Sequence, residues 1–444
     1  MGLIRSTWLI TGAAIFVAAA QPARATDGHF LHGVGAINSA MGGVAVAQSN
    51  SILGAFYVNP AGLANFPGTR VEIGFEMFLP DRTITSAMGP LNGSTTSSSE
   101  FTPIPAFGWS RAFKGDRVVV GLAGVGAGGF GVDYHADPGN PILMPRPFGF
   151  GGVYSSFQLM KIIPAIAVKA TDKLRLGFAA NVDWASLAVD PMPIASPSVD
   201  PGPDGVPFTQ DDRAFYSRAT DADGSFGIGF QAGLQYSLTP QLAFGISYVS
   251  PQVFQKFEFG AVYENPNLPN FGQPRTIEFA MDMPAVYAAG LSFAPTDWIT
   301  LGGDAKYFSY GNTRGFEKEG FDATGAVKGF GWQSIWSFAG GAEMRLNEQI
   351  KLRGGYNFAE NPIPESLTMF NLPAPAIVQH HATFGLGYDI GNGFGVDLGY
   401  YRAFNNKISG PFQGMTGPMP GSKVTSELSE HSFLIGFSYS PVKP

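Results

Sequence analysis

The sequence predicts an all-β transmembrane fold: a 14-stranded antiparallel outer-membrane β-barrel with an N-terminal hatch. Three observations carry that prediction. Segments alternating apolar and polar residues recur along the chain, the connections between them alternate short and long, and a secretory signal precedes them all. Leu174, Leu176, Phe178, Ala180, Val182 and Trp184 alternate with Arg175, Gly177, Ala179, Asn181 and Asp183. A period of two puts one set on each face of a strand. In a transmembrane barrel one face meets lipid and the other the lumen.

The signal occupies residues 1–25. Arg5 supplies the positive n-region, an apolar run follows that is too short to span a bilayer, and Ala23-Arg24-Ala25 is an A-x-A cleavage site, so Thr26 begins the mature chain. Residues 26–68 form the hatch and residues 69–444 the barrel. Charged residues make up 14% of the chain, against roughly 25% in a soluble domain. No mature segment has ~18 uninterrupted apolar residues, which excludes a helical membrane protein. Hydrophobicity spread over alternate positions fits a barrel. The net charge of −7 and the lack of a basic stripe exclude a nucleic-acid partner. There are no cysteines, hence neither disulfides nor thiolate metal sites.

Alternation predicts strands at residues 69–79, 105–113, 117–130, 157–170, 174–186, 225–237, 242–255, 278–293, 298–309, 332–346, 350–358, 379–390, 394–404 and 428–440. Tight-turn sequences follow every even strand up to the twelfth. Lys114-Gly115-Asp116, Thr171-Asp172, Thr239-Pro240 and Gly391-Asn392-Gly393 have hairpin chemistry. Long Pro-, Gly-, Ser- and Asn-rich loops follow odd strands. Short periplasmic turns with long outer loops are the mark of the bacterial outer membrane; a soluble all-β protein is the alternative fold. The hatch segment carries Ile37, Met41, Val44, Val46, Ile52, Leu53, Phe56 and Tyr57 without strand periodicity. A barrel this wide is not filled by wall side chains, so an apolar segment before it reads as a plug. Within it Asn59 can cap a short helix with Pro60 at its first position.

The runs Gly33-Val34-Gly35-Ala36, Ala40-Met41-Gly42-Gly43-Val44-Ala45-Val46-Ala47 and Tyr57-Val58-Asn59-Pro60-Ala61-Gly62-Leu63 resemble the FadL-type (FadL/TodX-like) outer-membrane transporters of long-chain fatty acids and hydrocarbons. Asn59, Pro60 and Ala61 are the most specific match. The resemblance implies passive uptake of a hydrophobic small molecule, a fatty acid or a hydrocarbon, by a monomer lying in outer-membrane lipid and lipopolysaccharide. Cargo would collect in an outer-loop groove, mapped here to Met192, Ile194, Phe208, Phe257 and Phe259. It would then reach an inner pocket touching the start of the hatch at Phe30 and Leu31. It would exit sideways where the third strand kinks, at Gly124, Gly126, Gly128 and Gly129. Glycine inside a strand marks a bulge or a close approach. Two departures stand out. The fifth strand ends Asp183-Trp184-Ala185-Ser186 and lacks the base expected to hold a carboxylate, which shifts weight toward neutral hydrocarbons or aromatics; Arg175, Lys306, Lys351 and Arg353 are the inward bases elsewhere. The chain also continues past Tyr439 instead of ending on an aromatic residue.

Other signals carry less. Gly124-x-Gly126-x-x-Gly129 has the dinucleotide spacing, but a loop follows instead of a helix. Asp200, Asp204, Gly205 and Asp211 sit at calcium-loop positions, although position three is Gly202 and the bidentate Glu is missing. The histidines His29, His32, His135, His380, His381 and His431 lack metal spacing, and there is no Gly-x-Ser-x-Gly elbow. No cofactor, metal site or enzyme activity is expected; a barrel phospholipase is the remote exception. A general or substrate-specific porin for small polar solutes is the main functional alternative, and the hatch separates the two readings.

Overall fold

A computed structural model describes residues 27–205 and 213–441. The expected signal peptide lies outside the described residues, as do Phe208 and Asp211. The barrel strands are β1 (Thr69–Met88), β2 (Thr102–Phe113), β3 (Val118–Tyr134), β4 (Val153–Lys169), β5 (Leu174–Asp190), β6 (Ala219–Ser237), β7 (Leu242–Val249), β8 (Val286–Thr296), β9 (Ile299–Phe308), β10 (Ile335–Arg345), β11 (Ile350–Ala359), β12 (His380–Gly391), β13 (Phe394–Gly410) and β14 (Ser422–Tyr439). Each pairs antiparallel with its sequence neighbours, and β1 pairs with β14 from Val71↔Tyr439 to Met88↔Ser422, closing the 14-stranded barrel. Closure gives every barrel strand two neighbours, as a sheet in lipid requires.

The faces follow the alternation. On β1, Ile73, Phe75 and Met77 are exposed on the lipid side, while Glu76 and Phe78 are buried inside. On β5, Leu176, Phe178 and Val182 face out and Ala179, Asn181 and Asp183 face in. The tight turns form as their chemistry requires. Lys114, Gly115 and Asp116 all take positive φ, and the hydroxyls of Thr171 and Thr239 accept backbone N–H groups two and three residues on. Two expected strands are shortened, the seventh at its end and the eighth at its start. The seventh stops at Val249, before Pro251, and the eighth is cut at Pro284. Proline has no N–H for the ladder. The segment Pro274–Phe279 instead pairs with Phe257–Val262 as a hairpin in the outer loops.

The hatch fills the lumen. Residues 27–63 are almost wholly buried and contain two short helices, α1 (Gly35–Ala40) and α2 (Ile52–Val58), then a 3-10 turn, Pro60–Asn65. The wall makes room with glycine. A Cβ on Gly177, Gly245, Gly341 or Gly355 would stand under 3.0 Å from hatch backbone atoms of Ala61, Val46, Met41 or Gly42. The abundance of glycine, 59 residues, thus lets hatch backbone lie directly on wall backbone.

Candidate functional site

Polar wall residues anchor the hatch. Asp304 on β9 accepts the N–H groups of Ala45 and Val46 at 2.8 and 3.0 Å. Glu72 on β1 accepts those of Ile52 and Leu53 at 2.8 and 3.2 Å, which start α2 and have no partner within it. Asn59 does more than cap. Its Oδ1 accepts the Ala61 N–H at 3.1 Å. Its Nδ2 donates to the carbonyls of Val46, at 2.7 Å, and of Leu234 and Ile246 on the wall, at 3.2 and 3.3 Å. One fully buried amide therefore joins the 3-10 turn, the rest of the hatch, β6 and β7.

Beside the hatch lies an inner cavity of about 50 Å³. Phe30, Leu31, Tyr57 and Phe308 give it apolar walls, and Asp27, Lys161, Gln231, Ser247, Gln252 and Lys306 its polar ones. Lys161 on β4 sits directly opposite Asp183 on β5 in the ladder. Its Nζ donates to Gln252 Oε1 at 2.7 Å and lies 3.6 Å from Asp183 Oδ2. Lys306 on β9 donates to the His32 and Gly43 carbonyls at 3.3 and 3.4 Å and lies 4.0 Å from Asp27 Oδ2. Both ammonium groups are loosely paired and face one space. The cavity is well below the roughly 150 Å³ of an apolar cavity that takes a benzene ring.

At Gly126, β3 leaves β2. Their ladder runs from Phe113↔Val118 to Ala106↔Val125 and stops. β2 continues on β1 to Thr102, and β3 continues on β4 to Tyr134 through a bulge between Gly126 and Gly128. The edge thus exposed on β3 is satisfied by the hatch tail. Leu31 N–H donates to Ala127 O at 3.1 Å, Gly129 N–H donates to His29 O at 2.9 Å, and the Tyr57 hydroxyl donates to Ala127 O at 3.1 Å. Strand β3 bends inward until Gly126, on the lipid-facing parity, lies behind the inward Ile104 side chain; a Cβ there would be 2.6 Å from Ile104 Cγ2. Buried backbone groups need partners, and here those partners come from the hatch and not from a neighbouring strand.

Residues 15–440 match the family of outer membrane protein transport proteins (OMPP1/FadL/TodX). The chain belongs to that family. Solved structures of the same fold include the Pseudomonas putida toluene transporter TodX, with a TM-score of 0.71 and 18% identity over 93% of this chain and 100% of that one. A Pseudomonas aeruginosa FadL homologue gives 0.70 and 16% over 93% and 99%. The Ralstonia pickettii toluene transporter TbuX gives 0.66 and 19% over 93% and 99%. No curated protein matches the sequence. As an OMPP1/FadL/TodX member the chain is an outer-membrane transport protein for hydrophobic compounds.

The outer loops of this family member differ from the sequence expectation. Met192, Phe257 and Phe259 are fully buried and Ile194 packs against the same core, so these side chains cap the barrel instead of lining an exposed groove. An open cleft of about 540 Å³ does lie between the loop after β5 and the hairpin Phe257–Val262/Pro274–Phe279, but Arg218, Glu264 and Arg275 give it a charged rim. Asp200 accepts from Asn267 at 2.7 Å, and no cluster of three or more metal-ligating side chains occurs among the described residues. Of the kink glycines, Gly126 meets Ile104, Gly128 meets the His29 carbonyl, and Gly124 has nothing within 4 Å. Phe30 and Leu31 line the inner cavity. Sequence reasoning missed Lys161, Asp304, Glu72 and His29. His29 is fully buried, and burial lowers its pKa to about 3, so its ring is neutral.

Proposed function

We propose that this protein passes an amphipathic hydrophobic molecule, apolar along its body with an anionic end, from the outer cleft to the inner cavity and then sideways into the membrane between β2 and β3. It does so as a monomer surrounded by lipid and lipopolysaccharide, without catalysis. The observation that carries this reading is the placement of Lys161 and Lys306 on one cavity with the apolar Phe30, Leu31 and Phe308, where two ammonium groups face the single carboxylate of Asp27. The base absent from β5 is thus supplied from β4 and β9, and the shift toward neutral cargo suggested by β5 alone is reversed. Lateral exit is supported by the β2–β3 ladder ending at Val125, beyond which hatch bonds and the Ile104 side chain fill the gap until Ser97 and Ser98 bond Asp133 at its upper end.

A carboxylate entering this space gains charge-assisted hydrogen bonds, worth about 1.5–3 kcal/mol each. Wild-type protein is therefore expected to bind a long-chain or aryl-alkyl carboxylic acid at least about tenfold more tightly than its methyl ester. Replacing Lys161→Met together with Asp183→Asn should weaken that preference, Lys306 remaining, without leaving an uncompensated buried charge, which would cost about 3–5 kcal/mol. Titration calorimetry in detergent reads both affinities. Equal binding of acid and ester by the wild type would assign the cargo to neutral hydrocarbons.

A further inference from the structure

Three neighbouring strands change character at one level of their lipid-facing side. On β14 that side carries Tyr439, Phe437, Ile435 and Phe433, and then His431. On β13 it carries Phe394, Leu398 and Tyr400, and then Arg402. On β12 it carries Ile390, Tyr388, Leu386 and Phe384, then Ala382 and His380. Register sets Tyr356, Ala382, Arg402, His431 and Leu79 side by side in one row from β11 to β1. Beyond the row come Phe404, at a bulge in β13, and the Lys407–Glu427 ion pair. The strand from Tyr439 to His431 is about 26 Å long at ~3.3 Å per residue. A tilt of about 40° leaves roughly 20 Å of height, close to the ~25 Å of a barrel's apolar band. The row therefore stands near the outer edge of the bilayer, on the side of the long loops.

The guanidinium in this row is held in place but not neutralised. Among the described residues Arg402 makes one hydrogen bond, from Nη1 to Nε2 of His431, and no ion pair. A guanidinium only donates, so Nε2 accepts and the ring proton sits on Nδ1, 2.8 Å from the Tyr400 hydroxyl. The carboxylates near it in the ladder are turned away or engaged. Glu430 is buried on the lumen face, Glu427 takes Lys407 at 2.7 Å, and Asp81 stands two strands off on β1. Most donors of the planar fork thus have no partner in the protein. His380 lies diagonally across the short Ala382 side chain and is fixed through Nδ1 to the Tyr356 hydroxyl at 2.6 Å.

We propose that Arg402, with His431 and His380 beside it, binds the phosphate group of an outer-leaflet lipid whose acyl chains lie on Phe433, Tyr400 and Phe384. The occupant that fits is a phosphorylated glycolipid of the kind that anchors lipopolysaccharide. The proposal rests on the chain being an outer-membrane barrel and not on its cargo. The fork geometry of arginine matches phosphate oxygens two at a time, and basic pockets at a membrane surface recognise phosphorylated head groups. Ala382 leaves space for the phosphate between Arg402, His380 and Tyr356. A charge on the lipid face is costly at the midplane and tolerated near the interface, which is where this one stands. Both β1 and β2 separate the row from the gap between β2 and β3, so the lipid site and the exit route are distinct.

The test uses the purified full-length protein in a zwitterionic detergent. The probes are lipid A with its phosphates and the same lipid after dephosphorylation, with retention read by native mass spectrometry. Wild type is expected to hold the phosphorylated form at least about tenfold more tightly, a comparison that needs no variant to fold. Arg402→Gln should erase the preference, and Arg402→Lys, which keeps the charge without the fork, should keep part of it. The paired Lys407→Gln/Glu427→Gln control, higher on the same face, should leave it unchanged. Equal retention of both lipids by wild type, or an undiminished preference in assembled Arg402→Gln, would overturn the proposal. Displacement of lipid A by an equal concentration of inorganic phosphate would overturn it too, and make this a site for the free ion. The transport reading fails separately. It fails if cells expressing wild type take up no hydrophobic compound above background, whichever lipid the barrel retains.

Discussion

Gly126→Val is expected to stop delivery of cargo, and Gly124→Val, two positions earlier on the same face of β3, is expected to leave it intact. A side chain on Gly124 meets nothing within 4 Å, because that position faces lipid on a strand still paired with β2. A side chain on Gly126 meets Ile104 at 2.6 Å, in the gap where that pairing has ended. Overpacking of this kind costs about 1–3 kcal/mol, too little to unfold a closed barrel but enough to occupy the path. Uptake of a labelled hydrophobic compound should fall at least about tenfold, the equivalent of ~1.4 kcal/mol, for Gly126→Val at equal surface abundance. Gly128 is the poorer choice of site, since a Cβ there strikes the His29 carbonyl and unseats the hatch tail itself. Normal uptake by assembled Gly126→Val would remove the lateral gap from the mechanism and send cargo past the hatch to the periplasm.

Gly341→Val is expected to unplug the barrel, whereas its neighbour Gly340→Val should not. Successive strand residues face opposite sides. Around Gly340 there is open space within 4 Å, while a Cβ on Gly341 would lie under 3.0 Å from the Met41 carbonyl. Backbone cannot swing aside as a flexible side chain can. The hatch must therefore shift away from β10, and buried polar groups such as the Asp304 carboxylate, which accepts Ala45 and Val46, lose partners at about 1–3 kcal/mol each. Single-channel recordings should show a conductance for Gly341→Val that wild type and Gly340→Val lack. A closed Gly341→Val channel would mean that the hatch tolerates displacement without opening a water path.

Much of the fold was legible because lipid imposes a strict rule. On β5 and β11 one face is apolar and the other polar or small, so period, register and facing can be read together. The turn residues Lys114-Gly115-Asp116 and Asn392-Gly393 fixed where strands reverse. Asn59-Pro60 announced a capped turn. What stayed hidden was hidden for identifiable reasons. On β4 both faces are apolar around Lys161: Leu159 and Ile163 point in, Ile162 and Ile166 point out. Alternation there cannot say which side the lysine takes. His29 lies in an irregular tail without periodicity, and the rings packed on it come from residues up to about 300 positions away. Phe257 and Phe259 do alternate with Glu258 and Gly260, but the pattern gives a strand with one apolar face. It does not say whether that face looks outward to a ligand or down onto the barrel. Proline explains the two strands that came out short, since Pro251 and Pro284 interrupt ladders that hydrophobicity alone would have continued, whereas β1 runs on through Pro80 to Met88.

The central claim is that a hatch-filled barrel carries hydrophobic molecules and refuses small polar ones. The most direct measurement is paired flux through the purified protein in liposomes, following a labelled long-chain or aromatic acid and a small neutral sugar in the same preparation. The account predicts transfer of the hydrophobic acid well above protein-free vesicles, with sugar permeation at background. Rapid sugar permeation without transfer of the acid would contradict it and identify a porin.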